Sequence, residues 1–60
     1  MENNSSLMTQ PEVAEYLRVA EHTLENWRYR KIGPRFMKAG ARVLYRHSDI
    51  DAWLESNAFP

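Results

Sequence analysis

Apolar residues recur at helical spacing near the start of the chain. Thr9 is followed three residues later by Glu12, the spacing of a capping box, and Pro11 falls in the first turn, where its missing N–H costs nothing. Behind this start the apolar residues share one helical face: Val13, Ala14 and Leu17. The pattern predicts a short helix from about Gln10 to Leu17.

A second helical pattern follows after only three residues, 18–20. Leu24 and Trp27 share its apolar stripe, so we expect Trp27 to be a core side chain. The opposite side carries polar and aromatic residues: His22, Glu25, Asn26 and Tyr29. The short connection is typical of a helix-turn-helix. Gly33 and Pro34 end the pattern, because the residue before a proline is disfavoured in helical conformation.

The stretch "RFMKAGARVLYR", residues 35–46, contains two β-prone runs around a glycine. Alternation places Val43 and Tyr45 on one side of the second run. The other side carries Arg42, Leu44 and Arg46. Because a bare hairpin is only marginally stable, we predict a β-hairpin that packs on the helices through Phe36, Val43 and Tyr45.

The last helical pattern follows the hairpin directly. Ser48 and Asp51 repeat the spacing of a capping box. An apolar stripe at i, i+3 and i+4 comes from Ile50, Trp53 and Leu54. The pattern predicts a helix that ends near Asn57, with Trp53 as a second core aromatic. The predicted order is helix, helix, hairpin, helix: a mainly α fold with a small β-hairpin.

A chain of 60 residues allows one domain with a small core, because at this length only about 60% of the unfolded surface is buried. We predict a flexible tail at residues 1–6 and a folded domain at residues 7–58. The absence of cysteine excludes a disulfide framework and a cysteine-based zinc site. No apolar run is long enough for a signal peptide or a bilayer span. We therefore expect a cytoplasmic protein without membrane contact.

Positive charge is concentrated in the middle of a chain whose formal net charge is zero. All eight Lys and Arg residues lie between Arg18 and Arg46, and residues 26–46 contain no acidic residue. If the basic residues come together on one face of the fold, this uneven distribution of charge is typical of a protein that binds a polyanion. The alternative is a solvated run of charge without a ligand.

Five short motifs occur along the chain in this order: "PEVAEYL", "TLENWR", "GPRFMKAG", "RVLYR" and "SDIDAWL". In this order and spacing they resemble the small winged helix-turn-helix proteins of the excisionase and AlpA-like group, which are similar in fold to the DNA-binding domain of MerR-type regulators. The resemblance spans about residues 7–54. It implies a recognition helix from Glu21 to about Arg30, a wing formed by the hairpin, and a DNA-binding factor of a bacterium, phage or mobile element.

The chain departs from this group at three positions. Ala20 replaces the usual capping residue before the second helix, which weakens the helix start by about 1 kcal/mol, and Glu21 partly compensates through the helix dipole. Lys31 replaces a glycine after this helix, and Arg35 replaces a proline before the aromatic residue of the first strand. A lysine adopts the left-handed cap conformation at a cost in conformational free energy that glycine avoids. The sequence therefore does not fix the last residue of this helix.

Double-stranded DNA is therefore the predicted partner. The polar face of the second helix would enter the major groove, while the basic residues follow the phosphates. Asn26 is the best candidate for a base contact, since its amide can serve adenine N6 and N7 together, whereas Thr23 and Tyr29 would bond phosphates. Glu25 either accepts a hydrogen bond from cytosine N4 or is a solvated carboxylate that repels phosphate. The predicted DNA-binding residues are His22, Thr23, Glu25, Asn26, Arg28, Tyr29, Arg30, Lys31, Arg35, Arg42 and Arg46.

Two roles fit this prediction: an excisionase-like recombination directionality factor and a small transcription regulator, with an integrase or further copies of the chain as partners on DNA. The alternative is a protein-interaction module that contacts an integrase or toxin through the second helix, or through Met37 and Leu44 on the wing. We expect no enzyme and no cofactor, since the chain lacks a cysteine nucleophile and a glycine-rich phosphate loop. No metal is expected, because His22 and His47 are isolated from further ligands.

Overall fold

The computed structural model describes residues 6–59, which form three helices and three short strands. In chain order these are β1 (Leu7–Thr9), α1 (Gln10–Leu17), α2 (Glu21–Tyr29), β2 (Met37–Ala39), β3 (Arg42–Arg46) and α3 (His47–Ser56). The predicted order of helix, helix, hairpin, helix is confirmed, and β1 is added before it. The tail predicted at residues 1–6 lies outside the described residues except for Ser6, whose carbonyl accepts a hydrogen bond from the His47 N–H.

The three strands form one antiparallel sheet with the order β1-β3-β2. Met8 of β1 lies opposite Tyr45, and Lys38 of β2 lies opposite Val43. β3 is therefore the central strand, and the predicted hairpin forms two thirds of the sheet. Strand β1 was not predicted from the sequence, because three residues are too few to show alternation.

Helix α1 begins as the sequence predicts. The Thr9 hydroxyl accepts a hydrogen bond from the Glu12 N–H at 3.4 Å, and the Glu12 carboxylate accepts one from the Thr9 N–H at 2.8 Å. This reciprocal capping box satisfies two backbone donors at the helix start. Pro11 lies in the first turn, as predicted.

Helix α3 begins differently from the prediction. Ser48 was expected to cap the helix with Asp51, but the helix begins at His47, directly after β3. Arg46 is the N-cap residue, and it forms no side-chain cap bond. The predicted cap is wrong because the strand runs into the helix without a turn, and the capping positions were assigned from spacing alone. The C-cap residue is Asn57, close to the predicted end.

The core lies where the three helices meet β3. Five side chains are buried in it: Val13, Ala14, Leu24, Tyr45 and Ile50. Partly buried residues pack against them: Met8, Leu17, Val19, Trp27 and Val43. Trp27 and Trp53 are both half-buried, and their rings contact each other at a tilt of 43° with centroids 5.2 Å apart. Trp27 packs against the core, as predicted, and Trp53 joins it through this contact. Leu54, which was expected on the core stripe of α3, is 41% exposed.

The predicted hairpin anchors divide into two kinds. Val43 and Tyr45 face the core, which confirms the predicted register of β3. Phe36 lies before β2 and is 38% exposed, and its ring contacts Tyr45 with centroids 6.3 Å apart. It therefore covers one edge of the core. None of the helices within residues 6–59 is long and apolar enough to cross a bilayer.

Candidate nucleic-acid interface

Helix α2 has a buried face and an exposed polar face. Leu24 is fully buried, and Trp27 packs against the same core. The opposite face exposes four of the predicted DNA-binding side chains: His22, Glu25, Asn26 and Tyr29. Tyr29 is 87% exposed, so its ring is open to a ligand. Thr23, a fifth predicted contact, is half-buried between the two faces.

A tight turn sets the position of α2 against α1. Arg18 adopts the left-handed conformation at φ 62°, and the next N–H, of Val19, donates to the Ala14 carbonyl at 3.0 Å. Val19 then packs on the core. Ala20 caps α2 through its backbone alone, as expected from its side chain. The start of α2 is therefore fixed by the turn and its packing, with little help from a cap.

The end of α2 bears out the expectation for Lys31. The helix ends at Tyr29, one residue before the expected end, and Lys31 takes the left-handed conformation at φ 59°. Gly33 then lies against Trp27, where an added Cβ would come within 3.0 Å of the Trp27 side chain. A lysine thus occupies a position that suits glycine, which carries a conformational cost and adds a positive charge at the helix end.

Arg28 has a structural role that the sequence did not reveal. Its Nη1 donates a hydrogen bond of 2.8 Å to the Tyr45 hydroxyl, and its guanidinium lies over the Phe36 ring at 5.6 Å from the centroid. Tyr45 is only 1% exposed. Arg28 therefore joins α2 to the central strand.

The wing has its basic side chains on the outer side of β3. Arg42 and Arg46 are exposed, whereas Val43 is half-buried and Tyr45 is buried. Arg42 follows the hairpin turn, and Arg46 lies at the other end of the strand, about 13 Å away at a rise of roughly 3.3 Å per residue. The two arginines therefore occupy opposite ends of the wing.

A cleft brings the wing tip to the start of α2. Gln10 of α1, Glu21 and Arg28 of α2, and Arg42 of the wing line it. The Gln10 side-chain amide donates to Glu21 Oε1 and to Glu25 Oε2, both at 3.1 Å. Gln10 was not among the predicted residues, and its spacing from the two glutamates along the chain gives no signal of this bridge.

The remaining predicted cations are spread over the neighbouring surface. Lys31 and Arg35 line a second groove together with Ile32 and Phe36. Two further cations are exposed outside both grooves: Arg30 and Arg46. The structure thus places the eleven predicted residues on the α2 face, the turn after it and the wing, with Arg28 partly enclosed.

His47 Nδ1 lies 3.1 Å from Asp51 Oδ2, one turn further along α3. The Tyr16 hydroxyl donates to the same carboxylate at 2.7 Å; this bond, partial desolvation and the Asp51 charge raise the pKa of Tyr16. Deprotonation of Tyr16 removes the bond, so its contribution to stability is lost as the pH rises from 10 through the higher pKa of Tyr16 in the fold. Among the described residues, no three His, Cys, Asp or Glu side chains are grouped as metal ligands.

The Lys and Arg side chains have no carboxylate partner in this structure. All eight lie within the described residues, and none is within ion-pair distance of an Asp or Glu there. The acidic residues flank the basic window in the sequence, and Glu21 lines the same cleft as Arg28 and Arg42 without pairing with either. The cations of the surface are therefore not neutralised by direct ion pairs within the described chain.

A family model described as a helix-turn-helix domain matches residues 7–58. The chain belongs to this helix-turn-helix family, within the excisionase/AlpA-like group that its motifs resemble. Helix-turn-helix domains bind DNA with their second helix in the major groove, so the match supports a DNA-binding function. No significant match was found among curated proteins. The relation to MerR-type regulators stays a prediction.

The Arg28 contacts predict a stability effect of one arginine. Arg28→Met keeps an apolar side chain of similar reach but leaves the buried Tyr45 hydroxyl without its donor. We expect a loss of about 1–3 kcal/mol in the free energy of unfolding, the range for a lost charged hydrogen bond. Thermal unfolding measures it as a fall of roughly 4–8 °C per kcal/mol.

The matched control is Arg30→Met, which removes the same charge from an exposed side chain two residues further on. We expect its melting temperature to stay close to that of the wild type. Equal falls in both variants would show that loss of charge, and not loss of the Tyr45 contact, destabilises the fold.

Proposed function

We propose that the chain binds double-stranded DNA sequence-specifically, with α2 in the major groove and the β2–β3 hairpin as a wing on the flanking backbone or minor groove. The observation that carries this proposal is the set of cations without carboxylate partners around the exposed face of α2. Family membership agrees with it. We propose binding without catalysis and without a cofactor.

The electrostatics favour a polyanion as the ligand. DNA carries one phosphate charge per about 1.7 Å of helix axis, and each cation that meets a phosphate releases counterions. Lys31 and Arg35 lie beyond one end of α2, and Arg42 borders the cleft near its other end. Cations near both ends of a polar helix can meet the phosphates on both sides of a groove that the helix enters.

The exposed face of α2 has the chemistry for reading bases. Asn26 can pair with adenine N6 and N7, the bidentate contact typical of asparagine. Thr23 and Tyr29 suit phosphates or sugars, and His22 lies one turn before Asn26 on the same face. The remaining proposed phosphate contacts are Arg28, Arg30, Lys31, Arg35, Arg42 and Arg46.

The biological role follows from where the target sites lie. An excisionase-like directionality factor would bind beside an attachment sequence, with an integrase or further copies of the chain as neighbours, whereas a transcription regulator would bind promoters. Selection of bound fragments from the host genome, followed by footprinting, separates these roles. A cytoplasmic, nucleoid-associated location belongs to the same proposal.

The wing offers little surface for the alternative of a protein-interaction module. Met37 and Leu44, its candidate contact residues, lie opposite each other as a cross-strand pair and are both half-buried. An apolar protein contact would also leave binding nearly independent of salt. Salt dependence therefore distinguishes the two functions.

The first test is the salt dependence of DNA affinity. We expect a log-log slope of about −3.5 to −5.5, which corresponds to roughly four to six neutralised phosphates. Fluorescence anisotropy with a labelled duplex between low and physiological salt measures it. Retained affinity with a flat salt response would exclude the electrostatic basis of the proposal.

A second test separates base reading from phosphate binding. Asn26→Ala should change which sequences are selected from a random pool, because it removes a base contact. Arg30→Ala should weaken binding to all sequences about equally, because phosphates carry no sequence information. If Asn26→Ala selects the same motif as the wild type, Asn26 reads no base.

A third test concerns the wing. Arg42→Ala should cost about 1–2 kcal/mol of DNA binding, in the range of a charge-assisted hydrogen bond, with little change in melting temperature. Val43→Ala is the matched control from the inner side of the same strand. It should lower the stability by about 1 kcal/mol or more and leave the affinity of the folded protein unchanged. Unfolding of Arg42→Ala, with full affinity per folded molecule, would contradict the assigned role of the wing.

A further inference from the structure

Gln10 connects the start of α1 to the exposed face of α2. Its single amide nitrogen donates to Glu21 Oε1 and to Glu25 Oε2, at 3.1 Å in both cases. A primary amide has two N–H donors, so each carboxylate receives one of them. The donor capacity of the Gln10 side chain is therefore fully used in holding two acids of the recognition helix.

The two acids would repel each other without this bridge. Glu21 and Glu25 lie one turn apart on α2, where like charges are unfavourable. Within residues 6–59 neither has a Lys or Arg partner at ion-pair distance. A neutral amide holds them instead of a cation, so no cation neutralises either carboxylate on a surface that otherwise favours anions.

An ionised carboxylate selects one kind of group on DNA. It accepts hydrogen bonds and cannot donate, so it repels phosphate and needs a donor. In the major groove the donors are the amino groups of cytosine N4 and adenine N6, and cytosine N4 is the usual partner of glutamate. A glutamate that is already held in place loses less rotamer freedom on binding than a free one.

We propose that Gln10 is a positioning residue for base recognition: it orients Glu25 so that the carboxylate accepts a hydrogen bond from a cytosine amino group. The inference rests on the proposed function, since it concerns the same α2 face. Glu21 shares the bridge and lines the cleft that the wing tip also borders, which places the bridge beside the proposed DNA surface.

The experiment is selection from randomised duplexes with the full chain and its variants. Gln10→Met removes the donors at similar side-chain length, and Gln10→Asn keeps the amide but shortens the reach by one methylene. Glu25→Ala removes the acceptor. Glu15→Ala, an exposed acid of α1, is the control for a change on that helix. Melting temperatures are measured for all variants.

We expect the wild type to prefer cytosine at one position and Glu25→Ala to lose that preference. Both Gln10 variants should reduce it by about three- to tenfold, the range of one ordinary hydrogen bond, and leave the other positions of the motif unchanged. In the Glu25→Ala background Gln10→Met should have no further effect, because the two residues act as one unit. Glu15→Ala should keep the preference.

Three binding results would overturn this inference but leave the proposed function standing. They are salt-dependent binding without a cytosine preference, an unchanged preference in both Gln10 variants, and a uniform loss of affinity of the Gln10 variants for all sequences. Failure of both Gln10 variants to fold would also overturn it, because Gln10 would then be a structural residue. Absence of salt-dependent DNA binding in the wild type would instead reject the proposed function itself.

Discussion

The contact between Arg28 and Tyr45 links the two parts of the molecule. Tyr45 is buried on the central strand of the sheet, and its hydroxyl accepts a hydrogen bond from the guanidinium of α2. Because β3 pairs with both other strands, this contact ties α2 to the whole sheet. A flexible connection would let the helix and the wing move separately and add an entropic cost to binding both sides of a groove. The Arg28 hydrogen bond joins the helix directly to β3 of the wing and so opposes such separate movement.

The Lys and Arg side chains are not paired with carboxylates in the described chain, and this makes the surface around α2 basic. Exposed ion pairs contribute little to stability, typically about 0–1 kcal/mol, so a small domain loses little by leaving its cations unpaired. The described chain has no Lys or Arg paired with a carboxylate. Its stability comes instead from apolar packing around β3 and from local devices such as the Thr9 capping box. A neutral chain can thus present a basic surface, and its net charge is a poor guide to its ligand.

The sequence was a good guide to structure at three local signals, whereas the capping pattern of Ser48 and the place of Leu54 on the α3 stripe, which are also local, were wrong. The capping box, the stripe of α2 and the alternation along β3 involve neighbours, and all three predicted the observed conformation. The omissions come from contacts between distant residues: the pairing of β1 with β3, the Arg28 contact and the Gln10 bridge. The exposed face of α2 could be predicted, but not which of its charges are held by other elements.

Both ends of helix α2 are less stable than other residues at these positions would make them. Its first turn has an alanine cap, and its last turn is followed by a lysine in a left-handed conformation, so both ends are weaker than a serine and a glycine would make them. A nine-residue helix of this kind is marginal alone. Leu24 in the core and Gly33 against Trp27 hold it from the inside. Because packing supplies its stability, the positions at its ends are free to carry charge, and Lys31 places a cation at the end of the helix proposed to read DNA.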